Sequence, residues 1–287
     1  MADEYGAHLR RLTDHPADDE NPAWSPAWTR VAFQSKRNGN WDLYSLRAEC
    51  APPRSECDLQ PLTDHPADDL LPAWSPDGRR IAFVSLRDGN DEIYLMDQDG
   101  RNQRRLTFHS GGDWRPAWLP DSQHLVFTSD RSGNNDLYQL AVPATDAPPP
   151  TGEADLTTLV SSPADERDPA VGVSSMLANY FDQPELLFFL SDQAGGWKTF
   201  VTSLDGRALP VQPFAEFDQP QAHPSWLKGY TLLVAVGEGA DSDIDALTPF
   251  GASSPLIVSP GFDGHPAGGP VWWQPVAESD QAPLSPP

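Results

Sequence analysis

The sequence is poor in cysteine, in cationic residues and in long apolar runs. Only 19 Lys and Arg stand against 42 Asp and Glu, and the resulting formal charge of −23 makes nucleic acid and anionic membrane surfaces poor partners. No apolar run is long enough to span a bilayer, and residues 1–11 lack the apolar core of a secretory signal. Hydrophobic residues nevertheless make up 38% of the chain, with ten Trp, so the composition is that of a globular protein with a large core.

An internal repeat dominates the first half of the chain. Residues 12–19 and 62–69 are identical at all eight positions. A Pro-Ala-Trp triplet follows each copy and recurs once more, so that Trp24, Trp74 and Trp118 are 50 and 44 residues apart. Periods of about 45 residues are typical of propeller blades.

The second copy shows what one repeat builds. Four short segments at 72–75, 80–85, 92–96 and 104–107 are separated by turns such as Pro76-Asp77-Gly78. The pattern predicts a four-stranded antiparallel meander. Because such a sheet has two apolar faces, its neighbours must cover both, and radial stacking closes the sheets into an all-β propeller.

Weaker copies extend the repeat to a single predicted domain at 8–275, followed by a Pro-rich tail at 276–287. The fourth copy has Val171 where Trp is expected. The predicted innermost strands lie near 22–25, 72–75, 116–119, 169–172, 223–227 and 270–274.

The repeat resembles a known family. Pro-Ala-Trp-Ser-Pro-Asp-Gly at 72–78, Ile-Ala-Phe-Val-Ser at 81–85 and Arg-Asp-Gly-Asn-Asp-Glu-Ile-Tyr at 87–94 are similar to the TolB-type, WD-like β-propeller repeat. The resemblance is strong over residues 8–142 and faint over 156–274. It covers the propeller and not the additional N-terminal α/β domain that TolB itself carries.

The last predicted blade is incomplete. Residues 8–13 are expected to form its outer strand, residues 270–274 its inner strand, and the breaker-rich segment 275–287 is too short for two more. The prediction is five full blades plus a sixth formed from both termini. Three readings stay open: the ring relaxes to five blades with a seam, a partner or second copy donates strands, or the chain is cut from a longer one.

The two cysteines lie close together, with six residues between Cys50 and Cys57. A disulfide there would contribute about 2 kcal/mol and would require an oxidising compartment. A zinc site built from thiolates alone is excluded because there is no further cysteine. The low Lys content and the resemblance favour an extracytoplasmic location, whereas the lack of a signal peptide argues against one, so the location stays open.

An acidic residue precedes each predicted inner strand. Repeat geometry places these acids around one mouth of the channel, where they would attract a cation or a basic peptide. The alternative is that each acid orders its own loop. The acids are Asp19, Asp69, Asp113, Glu166, Asp168, Asp218 and Asp263.

Three histidines, His15, His65 and His109, recur at matching positions and are weak candidates for a metal site. Zinc needs its ligands to converge on one point, whereas equivalent residues of separate blades lie apart, so a structural role is expected for these histidines. No cofactor is predicted, and a divalent cation is kept only as a weak alternative. Three arginines precede Gly-Asn turns, and each is expected to bind carbonyls or an acid of its own or the next blade: Arg37, Arg87 and Arg131.

No catalytic motif is found in the sequence, neither a Gly-x-Ser-x-Gly elbow nor His-Glu-x-x-His nor a phosphate-binding loop. The leading hypothesis is a non-enzymatic scaffold that engages a protein or peptide through loops at the channel mouth. The alternative is a propeller-fold, metal-dependent lyase or hydrolase using the acids and histidines of that mouth, since the resembling family includes such lyases. Self-association or strand completion at the sixth blade is a third hypothesis.

Overall fold

The described part of the chain is built from β-strands. The computed structural model describes residues 11–49, 56–144, 152, 156–173 and 185–204, and the backbone of five later stretches at 212–213, 221–226, 232–236, 243–247 and 254–257. Within these residues there are twenty strands and no helix. None of this part of the chain therefore forms a helix able to cross a membrane.

The strands form five antiparallel sheets, each made of four consecutive strands. Sheet 1 contains β1 (Asp19–Trp24), β2 (Arg30–Ser35), β3 (Asp42–Arg47) and β4 (Gln60–Pro61). Sheet 2 contains β5 (Asp69–Trp74), β6 (Arg80–Ser85), β7 (Glu92–Asp97) and β8 (Arg104–Arg105). Sheet 3 contains β9 (Asp113–Trp118), β10 (His124–Ser129), β11 (Asp136–Ala141) and β12 (Thr157–Val160). Sheet 4 contains β13 (Glu166–Val173), β14 (Glu185–Ser191), β15 (Lys198–Ser203) and β16 (Gln212–Pro213), and sheet 5 contains β17 (Gln221–Trp226), β18 (Leu232–Val236), β19 (Asp243–Leu247) and β20 (Ser254–Ile257).

Both faces of a central sheet are buried, as β6 illustrates. Successive side chains of a strand point to opposite faces. Ile81 and Phe83 pack into an apolar cluster shared with sheet 1, whereas Ala82 and Val84 pack into a cluster shared with sheet 3. A strand that is apolar on both faces has to lie between two other sheets, which explains the near-continuous apolar run in this segment.

The sheets stack in chain order. The first strand of each later sheet contacts the first three strands of the sheet before it: β5 against β1 to β3, β9 against β5 to β7, β13 against β9 to β11, and β17 against β13 to β15. This is the packing of propeller blades, each covering its neighbour. The predicted all-β propeller of four-stranded antiparallel blades is confirmed.

The innermost strands begin two or three residues before the predicted segments. The reason is a β-bulge in each: in β5 the register shifts between Leu70 and Ala73, and Leu71, directly before Pro72, has φ 52°. A residue before proline is ordinarily extended, and a left-handed non-glycine costs about 1–2 kcal/mol. The bulge lets the strand continue across the proline instead of starting at it. Asn21, Arg115 and Asp168 repeat this conformation, with φ 46°, 56° and 54°.

Several predictions concern residues outside the described part of the chain. Of the predicted sixth blade, 8–10 and 270–274 lie outside it, and the same holds for the tail at 276–287. The incomplete sixth blade and self-association through it stay predictions. Cys57 is disulfide-bonded, and Cys50, the only other cysteine, lies outside the described residues.

Candidate binding face

One end of sheets 1 to 4 carries two sets of loops. The first strand of each sheet begins there, and the turn between the second and third strands lies there, because neighbouring strands are antiparallel. We call this end the loop face. It consists of the loops 14–18, 64–68, 108–112 and 162–165 and the turns 36–41, 86–91, 130–135 and 192–197.

An arginine is inserted into each of the first three sheets just beneath the loop face. In sheet 2 the terminal Nη2 of Arg87 lies 3.1 and 3.0 Å from the two carboxylate oxygens of Asp69, and its Nε donates to the hydroxyl of Ser85 at 2.8 Å. The guanidinium carbon lies 4.6 Å from the ring centre of Tyr94. Charge-assisted hydrogen bonds and a cation–π contact therefore hold the same group. Sheets 1 and 3 repeat the arrangement with Asp19, Ser35, Arg37 and Tyr44 and with Asp113, Ser129, Arg131 and Tyr138.

In sheets 1 to 4, acids of the predicted ring are the first residues of the first strands. Asp69 and Asp113 are 0% exposed, Glu166 is 1% exposed, and the side chain of Asp19 is 13% exposed. Burial raises the pKa of Asp113 even though Arg131 lies beside it. The acids of the first three sheets are thus largely covered and already hold a cation of their own sheet.

The other predicted acids are placed differently. Asp168 lies two residues after Glu166 and pairs with Arg115 of the preceding sheet at 3.2 Å. Asp218 and Asp263 lie outside the described residues. A binding role for the whole ring stays a prediction.

A second set of buried acids begins the third strands. Asp42 is 2% exposed, and Glu92 and Asp136 are 0% exposed. Glu92 accepts hydrogen bonds from the Thr107 hydroxyl at 2.7 Å and from Arg105 at 2.5 Å. Burial raises the pKa of both Asp42 and Glu92. The sequence contained a signal for this set, because each acid follows the Gly-Asn pair of its turn by two residues.

Asparagines of the turns bind the loops of the next sheet. The Asn90 side-chain amide donates to the carbonyl oxygens of His109 at 3.0 Å and Gly111 at 2.9 Å. Asn40 donates to the carbonyls of His65 and Ala67, and Asn134 to those of Ser162 and Ala164. One side chain at each junction therefore fixes the loop that leads into the next sheet.

Each of the three repeated histidines is used inside its own loop. Nδ1 of His65 accepts the backbone N–H of Ala67 at 3.1 Å, and His15 and His109 make the same bond with Ala17 and Gly111. In the described residues, no group of three or more His, Cys, Asp or Glu is arranged to hold a metal ion. The loops of this face are therefore ordered by their own side chains.

The tips of the loop face are strongly acidic. Its loops and turns contain nine Asp and four Lys or Arg, and three of those four cations are the inserted arginines. Asp64, Asp88 and Asp130 are exposed. Burial raises the pKa of Asp91, and the nearby carboxylates of Asp130 and Asp113 add to the rise. The outer layer of the face thus presents negative charge that the inserted arginines do not reach.

Sheet 4 departs from the pattern of the first three sheets. Gln193 takes the place of the arginine and Phe200 the place of the tyrosine. Glu166 Oε1 accepts hydrogen bonds from the hydroxyls of Ser162 at 2.6 Å and Ser191 at 3.2 Å. Its Oε2 is buried, and no residue that the structure describes forms a hydrogen bond with it. This is the one position in the ring where a covered carboxylate lacks its arginine among the four sheets whose side chains are described.

Residues 59–167, which span sheets 2 and 3, match the family model of the TolB beta propeller domain. This part of the chain is therefore similar to TolB-type propeller repeats. No curated protein sequence matches it. The confirmed resemblance is to the propeller, because the matching family model describes that domain.

Solved TolB structures have the same fold. TolB from Acinetobacter baumannii is 20% identical with a TM-score of 0.66, and the match covers 86% of this chain and 56% of that one. A putative TolB from Agrobacterium tumefaciens is 17% identical with a TM-score of 0.68, covering 91% of this chain and 88% of that one. This chain therefore spans little more than half of the Acinetobacter protein.

An enzyme shares the fold as well. Oligogalacturonate lyase from Vibrio parahaemolyticus is 15% identical with a TM-score of 0.58, and the match covers 89% of this chain and 70% of that one. At these identities the likeness extends to the fold alone. Binding and catalysis both occur on propellers of this shape, so the function has to be argued from the face itself.

Proposed function

We propose that the protein is a non-enzymatic scaffold that binds a protein or peptide through its loop face. The observation that supports this most is the combination of order and exposure at that face. Arg87, Asn90 and their counterparts fix the loops from beneath, while acidic side chains remain at the tips. Rigid frameworks that present loops are well suited to recognition, since little conformational entropy is lost on binding.

Charge indicates the chemistry of the partner. The inserted arginines are used by the buried acids, so they cannot neutralise Asp64 and Asp130 at the tips, whereas Asp88 pairs with Arg105 at 3.3 Å. The whole chain carries a formal charge of −23. Such a surface raises the association rate of a cationic partner and repels an anionic one. The proposed partner is a protein or peptide with a basic segment.

A charge-reversal experiment tests this proposal. The double variant Asp64→Lys, Asp130→Lys alters the tips of two loops, and a fluorescent lysine- and arginine-rich peptide serves as the probe. Binding by fluorescence anisotropy is expected to weaken by about tenfold or more, because each reversed charge replaces attraction by repulsion at short range.

The matched control is Asp99→Lys, which reverses an exposed charge in the turn between β7 and β8, at the opposite end of sheet 2. This variant should retain nearly the full affinity. A weakening by the control as large, per reversed charge, as that by the double variant would show attraction to net charge and would contradict a site on the loop face.

A metal-dependent lyase or hydrolase is the alternative function, and the shared fold of the Vibrio lyase is what favours it. Thermal unfolding with calcium, manganese and zinc separates the two. A catalytic metal that binds the native state raises the melting temperature by an amount that grows with its concentration. The scaffold proposal expects no such dose-dependent rise with any of the three ions.

A further inference from the structure

In the described part of the chain, no arginine of sheet 4 binds the buried carboxylate of Glu166. At the equivalent positions Asp19, Asp69 and Asp113 are each bound by an arginine from the turn two residues after β2, β6 or β10. Gln193 is the residue at that place in sheet 4, and its side chain is exposed. Glu166 Oε2 consequently has no hydrogen-bond partner among the described residues, although Glu166 is 1% exposed.

A buried acid of the preceding sheet acts on Glu166. Asp136, which begins β11, is 0% exposed, and its carboxylate accepts hydrogen bonds from the hydroxyls of Ser132 and Ser161 and from the backbone N–H of Ser162. Ser162 also donates its hydroxyl to Glu166 Oε1 at 2.6 Å. A single residue therefore joins the two carboxyl groups across the boundary between sheets 3 and 4.

Further charged groups lie on the strands and turns around the pair. Arg131 is held by Asp113, and Arg115 by Asp168. Arg167 stacks on Trp197, with its guanidinium carbon 3.5 Å from the ring centre. Asp165 and Asp192 accept backbone N–H groups of Asn135 and Asp165. Lys198 begins β15, and its register partner is Ser191 of β14, the strand between β15 and β13.

Two ionised carboxylates in contact and shielded from water repel each other strongly, whereas one proton between them turns repulsion into a hydrogen bond. The orphan oxygen Oε2 is the atom that such a proton would satisfy. Burial raises the pKa of Glu166, and the adjacent Asp136 raises it further.

We propose that Glu166 and Asp136 share one proton, and that this proton makes the packing of sheet 4 against sheet 3 depend on pH. Protonated Glu166 donates from Oε2 to Asp136. Loss of the proton leaves two buried negative charges on either side of Ser162. Their repulsion weakens the interactions that order the loop 162–165. The loop face would then be ordered more firmly in mildly acidic than in alkaline solution.

The sign of the effect follows from linkage. A carboxyl group whose pKa is raised on folding retains its proton in the folded state at a pH where the unfolded chain has released it. Its stabilisation is complete below the unfolded pKa and is lost as the pH rises through the folded one. Lowering the pH toward the unfolded value therefore stabilises the folded protein through this pair.

The test compares the full chain with Glu166→Gln, in which an uncharged amide replaces the proposed protonated acid, and with Gln193→Arg, which supplies the arginine of the other sheets. Melting temperatures are measured from about pH 5 to about pH 8. Relative to Glu166→Gln, the wild-type melting temperature should fall as the pH rises. Gln193→Arg should abolish that relative fall, because its guanidinium would hold Glu166 ionised.

Infrared difference spectra give an independent readout at neutral pH. The carbonyl stretch of one protonated carboxylic acid should appear in the difference between the wild-type protein and each variant. A further variant, Asp136→Asn, should reduce the pH dependence to the part that burial of Glu166 alone causes, and it keeps the test valid where Glu166→Gln folds poorly. Parallel melting curves for wild type and Glu166→Gln, or a difference spectrum between the two without an acid band, would overturn the proposal.

Discussion

At the scale of single residues, the arginine beneath the loop face unites several interactions that are weak alone. Arg87 meets a carboxylate, a hydroxyl and the ring of Tyr94 within one side chain. Its planar fork fits the carboxylate and its flat surface fits the ring, and lysine could satisfy neither geometry. Removing the Asp69 carboxylate from water costs free energy, and only the pairing with Arg87 offsets that cost.

Removing that partner should be severely destabilising. Arg87→Met keeps much of the side-chain volume but leaves Asp69 buried and uncompensated, and the free energy of unfolding should fall by about 3–5 kcal/mol. Urea denaturation followed by tryptophan fluorescence measures the loss. The double variant Asp69→Asn, Arg87→Met should recover part of it, since the stranded charge is then gone.

The matched control is Arg101→Met. Arg101 also pairs with an aspartate, at 3.4 Å from Asp99, but its side chain is 82% exposed. Exposed ion pairs contribute little, so this variant should unfold almost as the wild type does. A similar loss in both variants would mean that the inserted arginine is no more important than a surface one.

At the scale of elements, the tight turns decide how the second and third strands of a sheet are aligned. In sheet 2 the N–H of Gly89 donates to the carbonyl of Leu86 at 3.1 Å, and Gly89 has φ +99°. The turn also sets the position of Asn90, which clamps the next loop. A strained turn would therefore affect both its own sheet and the boundary with the next.

Gly89→Ala isolates this backbone requirement. A Cβ at Gly89 would meet nothing within 4 Å, so the expected loss of about 1–2 kcal/mol in unfolding free energy comes from the positive φ alone. Gly196→Ala is the control, because its added Cβ also meets nothing and its φ is not in the left-handed range. Thermal denaturation of the two variants should give a clearly lower melting temperature for Gly89→Ala, and equal values would contradict the argument.

At the scale of the whole molecule, the excess of negative charge acts against the compact state. With 42 acidic and 19 basic residues, the folded chain concentrates charges that the unfolded chain spreads apart. Salt at physiological concentration screens charges beyond about 8 Å, which weakens this long-range repulsion but leaves the buried arginine pairs nearly intact.

The melting temperature should therefore rise between low salt and about 0.5 M sodium chloride, where the screening length is a few ångströms. Differential scanning calorimetry at constant pH measures the change. The variant Asp64→Lys, Asp130→Lys carries less net negative charge and should show a smaller rise. A melting temperature that falls with salt would show that attractive pairs outweigh the repulsion.

Much of the architecture was predictable from the repeat. Periodic apolar segments such as 80–85 predicted strands buried on both faces, and such strands require sheets on both sides. The starts of the inner strands were less predictable, because a proline after Leu71 suggests a strand boundary and the bulge that accommodates it depends on neighbouring strands. The burial of Asp42, Glu92 and Asp136 was not predicted, because polar residues near a turn ordinarily face solvent.

The amino-acid sequence alone therefore determined that this chain forms stacked four-stranded sheets with acids and arginines near one end. It did so through local residue chemistry and through repetition. Which acid meets which arginine was decided by the fold, because Asp69 and Arg87 are 18 residues apart and are brought together only by the register of β5 on β6. The same holds at the boundary of sheets 3 and 4, where Asp136 and Glu166 belong to different repeats. Charge pairing depends on distance and on exclusion of water, and both are properties of packed sheets rather than of a sequence.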